Sequence, residues 1–210
     1  MRTIPSLALL MLFSTAGCRV MPDDPRLRGE TLYANCVACH SQDGSGNPPA
    51  GAPAIAGLPR WYVQAQLTKF RAGHRGTHPD DINGMKMRPM SLMLREDADL
   101  VGVATYVSSL PPVKRPVTLS SGDPVAGQAL FAVCTACHGP TGAGNEALKA
   151  PPITQQDDWY LLGQLQKFKA GIRGANPNDA SGATMRPMAM TLADDQAMRN
   201  VIAYARTLAK

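Results

Sequence analysis

The feature that most constrains this chain is a repeat without gaps. A shift of 98 residues carries Cys36, Cys39 and His40 onto Cys134, Cys137 and His138. The same shift carries Gly44 and Gly46 onto Gly142 and Gly144, Pro53 onto Pro151, and Trp61-Tyr62 onto Trp159-Tyr160. It carries Phe70, Gly73 and Arg75 onto Phe168, Gly171 and Arg173, and the run Met87-Arg88-Pro89-Met90 onto Met185-Arg186-Pro187-Met188. Two units are too few to stack as a solenoid. The chain is therefore expected to be two copies of one small domain, residues 22–110 and 123–210. A segment over 111–122, stiffened by three prolines, joins them. Domains of this size bury a limited fraction of their surface, so a bulky internal group would help to hold each together.

Each unit reads as mostly α. Asp123-Pro124 has the form of an N-cap followed by proline at the first helical position, and predicts a helix through Gly127 and Phe131 to Cys134. Gly29 and Tyr33 repeat that spacing. Apolar periodicity predicts a second helix over Trp61–Phe70, repeated at Trp159–Phe168, and a last helix from about Glu96 to Leu110. In the second unit, Thr191-Leu192-Ala193-Asp194 approximates a capping box at the start of that last helix. The stretches between, rich in glycine and proline, are expected to be loops. No period-two strand pattern stands out.

The two C-x-x-C-H motifs carry the chemistry. Two cysteines three positions apart on a helical turn can form thioethers with the two vinyl groups of a haem, and the histidine that follows then ligates the iron from one side. This predicts two covalent haem c groups, held by Cys36 and Cys39 with His40, and by Cys134 and Cys137 with His138. A dithiol redox site and a zinc site are the competing readings. The first would want a βαβ context, which is missing. The second would bring both motifs to one site, whereas they lie in separate repeats. For the opposite iron face, His74 maps to Ile172 and His78 to Asn176, so neither histidine is duplicated. The second unit holds no histidine besides His138, which excludes a bis-histidine site there. The sixth ligand is then a methionine of the duplicated run, Met87 or Met90 and Met185 or Met188, with core filling the role of the other.

Residues 1–17 follow the plan of a secretory signal: Arg2, an apolar stretch from Leu7 to Phe13, then small residues. The stretch is too short to span a membrane as a stable helix. It ends directly before Cys18, the one cysteine outside the motifs. This resembles a bacterial lipoprotein signal, with Cys18 lipidated, although Thr15 stands where an aliphatic residue is usual; an ordinary cleaved signal is the alternative. Both imply export to the periplasm, and a lipid would hold the protein at the membrane surface. The formal charge of +5 would be roughly cancelled by four haem propionates, and no run of five or more Lys/Arg is present, so the balance is not read as a nucleic-acid signal. Residues 114–210 carry ten Lys/Arg against seven Asp/Glu, and residues 18–113 ten against nine. The more basic second unit could orient docking.

Beyond these residues, the sequence resembles class I cytochromes c, and most closely the diheme cytochrome c4 family. The second unit matches at Cys137-His138-Gly139, Gly142, Gly144, Gln164-Leu165, Phe168, Gly171 and Arg173. The first matches at Gln66-Leu67, Phe70, Gly73 and Arg75 but has Ser41 in place of the glycine after His40. The resemblance implies Met87 and Met185 as axial ligands, seven residues before Leu94 and Leu192. It implies that the Pro53 and Pro151 carbonyls accept the Nδ1–H of His40 and His138. Arg75 and Arg173 would pair haem propionates or be exposed helix-end arginines. Trp61 and Trp159 would line the haem pocket, cap a propionate or simply pack in the core. Gly29/Tyr33 and Gly127/Phe131 would form the crossing of the first and last helices, against Tyr106 and Tyr204. The expected function is single-electron transfer in a respiratory chain, from a quinol-oxidising complex or small cytochrome to a membrane cytochrome oxidase. His/Met ligation fills all six iron positions and leaves none for a substrate. The alternative is a catalytic diheme oxidoreductase, peroxidase-like, or a subunit of a larger dehydrogenase complex.

Overall fold

The computed structural model describes residues 21–209; the expected leader and Cys18 lie outside the described residues. Each repeat opens on an aspartate followed by proline. Asp24 accepts the Leu27 N–H and starts α1 (Pro25–Tyr33), and Asp123 accepts the Val125 N–H and starts α6 (Pro124–His138). The cap satisfies a donor that the helix itself leaves orphaned, and proline at the first position forfeits nothing. Helix α6 runs unbroken into its C-x-x-C-H motif. In the first repeat the helix ends at Ala34 and resumes as the short α2 (Val37–His40).

The remaining helices are α3 (Arg60–Arg71), α4 (Ile82–Leu92) and α5 (Asp97–Ser109) in the first repeat, and α7 (Asp158–Lys169), α8 (Ala180–Met190) and α9 (Asp195–Thr207) in the second. The chain is mostly α: two tandem domains with no strand among the described residues. Only the isolated bridges Asn47–Ala52 and Asn145–Ala150 occur, at equivalent places. Helix α1 crosses α5, and α6 crosses α9. The crossings are tight because glycine sits at the contact. A Cβ on Gly29 would overlap the Gly102 carbonyl, and one on Gly127 would overlap the Asn200 carbonyl. The close approach brings Tyr33 against Tyr106 and Phe131 against Tyr204, with ring centroids 5.1 and 5.4 Å apart.

Two expectations are corrected. The Met-Arg-Pro-Met runs are not loops but lie in α4 and α8, with Pro89 and Pro187 inside the helices. Proline removes a backbone donor there, and Asn83-Gly84 in α4 and Ser181-Gly182 in α8 weaken the local signal. The helices form nonetheless, each capped by an aspartate: Asp81 accepts the Gly84 N–H at 3.1 Å and Asp179 the Gly182 N–H at 3.0 Å. The capping box is also elsewhere. Thr191 closes α8, Asp194 caps α9 by accepting the Ala197 N–H, and the reciprocal pair is Glu96 with Asp99 at the start of α5.

Each domain has its own core. Tyr33, Leu67, Leu94, Leu100 and Val103 belong to one cluster, and Phe131, Leu162, Leu192, Met198 and Val201 to the other. The joining segment is tied down at both ends. Asp158 is buried and accepts the Thr118 N–H at 2.7 Å and the Leu119 N–H at 3.1 Å, while the Arg115 guanidinium donates to the Ala56 carbonyl at 3.3 Å.

Candidate haem sites and the boundary between them

A cavity opens in each domain beside its motif. In the first it is lined by Cys36, Cys39, His40, Met87 and Met90, with Leu58, Leu67, Phe70 and Val103 behind them, and encloses about 1190 Å³ of open space, mouth included. In the second, Cys134, His138, Met185 and Met188 line about 1020 Å³, with Leu165, Phe168 and Ile202. Both methionines of each run therefore face the cavity beside the histidine. Cys137 stays half-buried on α6 and does not line it. The walls are apolar with a few polar groups, which suits a large flat apolar ligand.

Both histidines are buried and fixed. His40 Nδ1 lies 2.8 Å from the Pro53 carbonyl oxygen, and His138 Nδ1 lies 2.8 Å from that of Pro151. A carbonyl can only accept, so Nδ1 carries the proton and Nε2 keeps its lone pair. Burial holds both imidazoles below their ordinary pKa, and the carbonyl contact only partly offsets this. Each thus presents a neutral, oriented Nε2 of the kind an iron site needs.

One thiol of each motif is shifted the wrong way for a redox dithiol. Burial, helped by Cys39, pushes the Cys36 thiol up to about 11, and burial raises Cys134 too. A dithiol oxidoreductase needs the opposite shift. The two motifs do not converge either: among the described residues no cluster of three or more His, Cys, Asp or Glu could hold a metal ion by itself.

The domains meet through a symmetric network. The Gln66 side-chain oxygen accepts from Arg75 at 2.6 Å and from Arg173 of the other domain at 3.1 Å. The Gln164 oxygen accepts from Arg173 at 2.7 Å and from Arg75 at 3.2 Å. Arg75 and Arg173 are therefore not exposed helix ends: they are 6% and 8% exposed, over the rings of Phe70 and Phe168. Among the described residues neither guanidinium forms an ion pair with a carboxylate, and the buried Nε of each has no partner there. Burial and the neighbouring Arg75 push Arg173 below its ordinary value. Two like charges buried together with spare donors call for an anion. The propionates of a haem in each cavity fit that demand.

The indoles occupy other places. Trp61 packs against the first core, the buried Trp159 Nε1–H has no partner among the described residues, and neither indole is among the residues that line the two cavities. Their neighbours Tyr62 and Tyr160 are, and each lines both cavities. Gln66, Gln164 and Gln156 are shared in the same way, so the two cavities have a common wall.

Sequence reasoning missed the ion pairs that lock this boundary. Lys69 reaches Asp179, and Lys167 reaches Asp81, each at 2.5 Å. These aspartates are the caps of α8 and α4, so each domain's lysine steadies the helix that carries the other domain's methionines. The signal was available, because Lys69/Lys167, Asp81/Asp179 and Gln66/Gln164 all obey the shift of 98 residues. Burial alone would raise the Asp179 carboxyl, but Lys69 and the Gly182 N–H bring it below the ordinary value of 3.8; Lys167 does the same for Asp81. A depressed carboxyl stabilises the docked state fully above its ordinary pKa, and the contribution is lost as pH falls below that value through the lowered one. Docking is therefore expected to hold at neutral pH and to weaken below about pH 4, read as acid expansion by small-angle scattering. Lys167→Ala leaves a buried aspartate without its counter-charge. It should cost about 3 kcal/mol and lower the melting temperature by about 6–12 °C.

One departure lies directly beside the first motif. Ser41 takes φ 64° where Gly139 takes 76°. The strained serine is held from both sides: the Tyr33 hydroxyl donates to its carbonyl at 2.9 Å, and its own hydroxyl donates to the Gly46 carbonyl at 2.8 Å. Phe131, the counterpart of Tyr33, has no hydroxyl to repeat this.

Comparison with known proteins agrees with this geometry. The family model for cytochrome c matches residues 27–111 and again 124–209. A thiosulfate dehydrogenase electron acceptor of Thiomonas intermedia (strain K12) is 34% identical over 154 residues, 69% of this chain and 67% of that protein. Cytochrome c4 of Azotobacter vinelandii is 32% identical over 180 residues, 79% of this chain and 81% of that protein. A FixP subunit of a cbb3-type cytochrome c oxidase from Bradyrhizobium sp. (strain ORS 278) is 28% identical over 179 residues, 79% of this chain and 59% of that protein. Among solved structures, thiosulfate dehydrogenase TsdBA of Marichromatium purpuratum superposes with TM-score 0.68 at 34% identity, over 86% of this chain but only 39% of that one. Cytochrome c4 of Acidithiobacillus ferrooxidans gives TM-score 0.68 at 25% identity, over 82% of this chain and 98% of that one.

Proposed function

This chain belongs to the cytochrome c family, as a diheme electron-transfer protein of the cytochrome c4 type, and on that premise we propose that it is an exported carrier which hands single electrons to a terminal oxidase. Each bound haem supplies a one-electron couple between ferric and ferrous iron. Cys36, Cys39, Cys134 and Cys137 would hold the two haems, and His40 with Met87 and His138 with Met185 would ligate the irons. The protein contributes position and seclusion. The apolar cavity walls would limit reorganisation around each iron, and Arg75 and Arg173 would supply charge for the propionates at the boundary.

The observation that carries this reading is the common wall of the two cavities, built from Tyr62, Gln66, Tyr160 and Gln164. A haem held in each cavity would lie against this wall, which supports a path by which an electron entering one domain leaves from the other. The leader and Cys18 support a periplasmic location at a membrane surface, and the oxidase subunit among the relatives supports an oxidase as acceptor. Among the described residues no helix is long and apolar enough to cross a membrane. The test is to mix the reduced holoprotein with oxidase-containing membranes and oxygen in a stopped-flow cell. Both haems should oxidise within turnover times, far faster than in oxygen alone; equal rates with and without membranes would refute the role.

A second reading concerns the donor. The relative from Thiomonas intermedia is named as the electron acceptor of a thiosulfate dehydrogenase, which supports a dehydrogenase in place of a quinol-oxidising complex or small cytochrome. Reduction of the protein by a thiosulfate dehydrogenase and thiosulfate, absent with either alone, decides between them.

A further inference from the structure

The peptide that holds the first histidine is gripped from its other end by the second domain. The Pro53 carbonyl accepts the His40 Nδ1–H at 2.8 Å, and the N–H of that same peptide, on Ala54, donates to Asp157 Oδ2 at 2.7 Å. Asp157 is the N-cap residue of α7, yet its carboxylate makes no capping bond to its own helix. It reaches across the boundary instead. Both partners are buried, Ala54 at 1% exposure and Asp157 at 6%.

The second domain has no counterpart to this contact. The shift of 98 residues takes Ala54 to Pro152, which has no N–H, and takes Asp157 back to Pro59, which has no carboxylate. The histidine contact itself is the same in both domains, with His138 bonded to Pro151 at 2.8 Å.

We propose that Asp157 is a positioning residue that tunes the first haem across the domain boundary, through the Ala54–Pro53 peptide and His40, and so sets the two haems at different potentials. A carboxylate accepting the peptide N–H draws that proton toward itself and leaves more electron density on the carbonyl oxygen. The carbonyl then accepts the His40 Nδ1–H more strongly, and the imidazole becomes a better donor to iron. A stronger donor favours the ferric state and lowers the potential of that haem alone. The inference goes beyond the choice of electron partner, since it needs only a haem ligated by His40.

Two variants delete this hydrogen bond from opposite ends: Asp157→Ala removes the acceptor, and Ala54→Pro removes the donor. The second copies the residue that the other domain carries at the same place, so the loop itself accommodates proline there. Redox titration of each holoprotein should show the first haem moved upward, shifting the electron equilibrium between the haems about three- to tenfold, which is about 30–60 mV at about 59 mV per decade. In the ferrous protein the His40 Nδ1–H proton resonance should move upfield in both variants while that of His138 stays. Equal shifts at both haems would mean undocked domains and would overturn the proposal. So would a shifted first potential with an unmoved His40 resonance, which is bare charge acting through space, or no shift in either variant.

Discussion

A chain in which Cys36 and Cys39 are both alanine is expected to carry one haem and to lose the fold of its first domain. The first core is small, and Leu58, Leu67, Phe70 and Val103 turn part of their surface to the cavity. A group of haem's size burying roughly 400 Å² of apolar surface contributes about 10 kcal/mol at ~25 cal/mol per Å². That equals the whole stability of an ordinary small domain. Far-ultraviolet circular dichroism should lose roughly half its helical signal, because the helices divide about evenly between the domains. The second haem should remain, its core being separate, although the Lys69–Asp179 and Lys167–Asp81 pairs would be lost with the partner. A one-haem protein with the full helical signal would show that the first domain stands without its prosthetic group.

The next largest effect is expected at the sixth ligand. Met185→Ala should abolish the near-infrared methionine–iron band of the second haem, open that iron to carbon monoxide, and lower its potential on the order of 0.1–0.3 V, within the span that axial ligands command. Met188→Ala should leave all three unchanged. Both methionines line the cavity, so this pair of variants carries the assignment. If Met188→Ala produces the loss and Met185→Ala does not, the ligand is Met188, and by the repeat Met90 in the first domain.

What could be read from the sequence was whatever the repeat duplicated and local chemistry explained. The C-x-x-C-H motifs, the Asp-Pro helix starts and the glycine at the helix crossing each act over a few residues, so their consequences are legible in one dimension. The helices around Met87 and Met185 were not legible. Proline and glycine argue against a helix locally, while Asp81 and Asp179, held by lysines of the other domain, secure it through ion pairs 86 and 110 residues apart in the chain. Arg75 and Arg173 show the same limit. A basic residue after a helix reads as solvated until another domain covers it. The tryptophans were conspicuous in the sequence, but the adjacent tyrosines reach the cavities, because neighbouring residues on a helix point about 100° apart. Asp157 broke the repeat and was passed over for that reason, since an unduplicated residue has no second copy to mark it.

The most direct test of a diheme carrier with both irons fully ligated is a reductive titration of the purified holoprotein, with and without carbon monoxide. Two one-electron steps, low-spin spectra throughout and no carbon monoxide adduct are the predicted result. A five-coordinate high-spin signal, or ready formation of an adduct at either haem, would contradict it and point to a catalytic site.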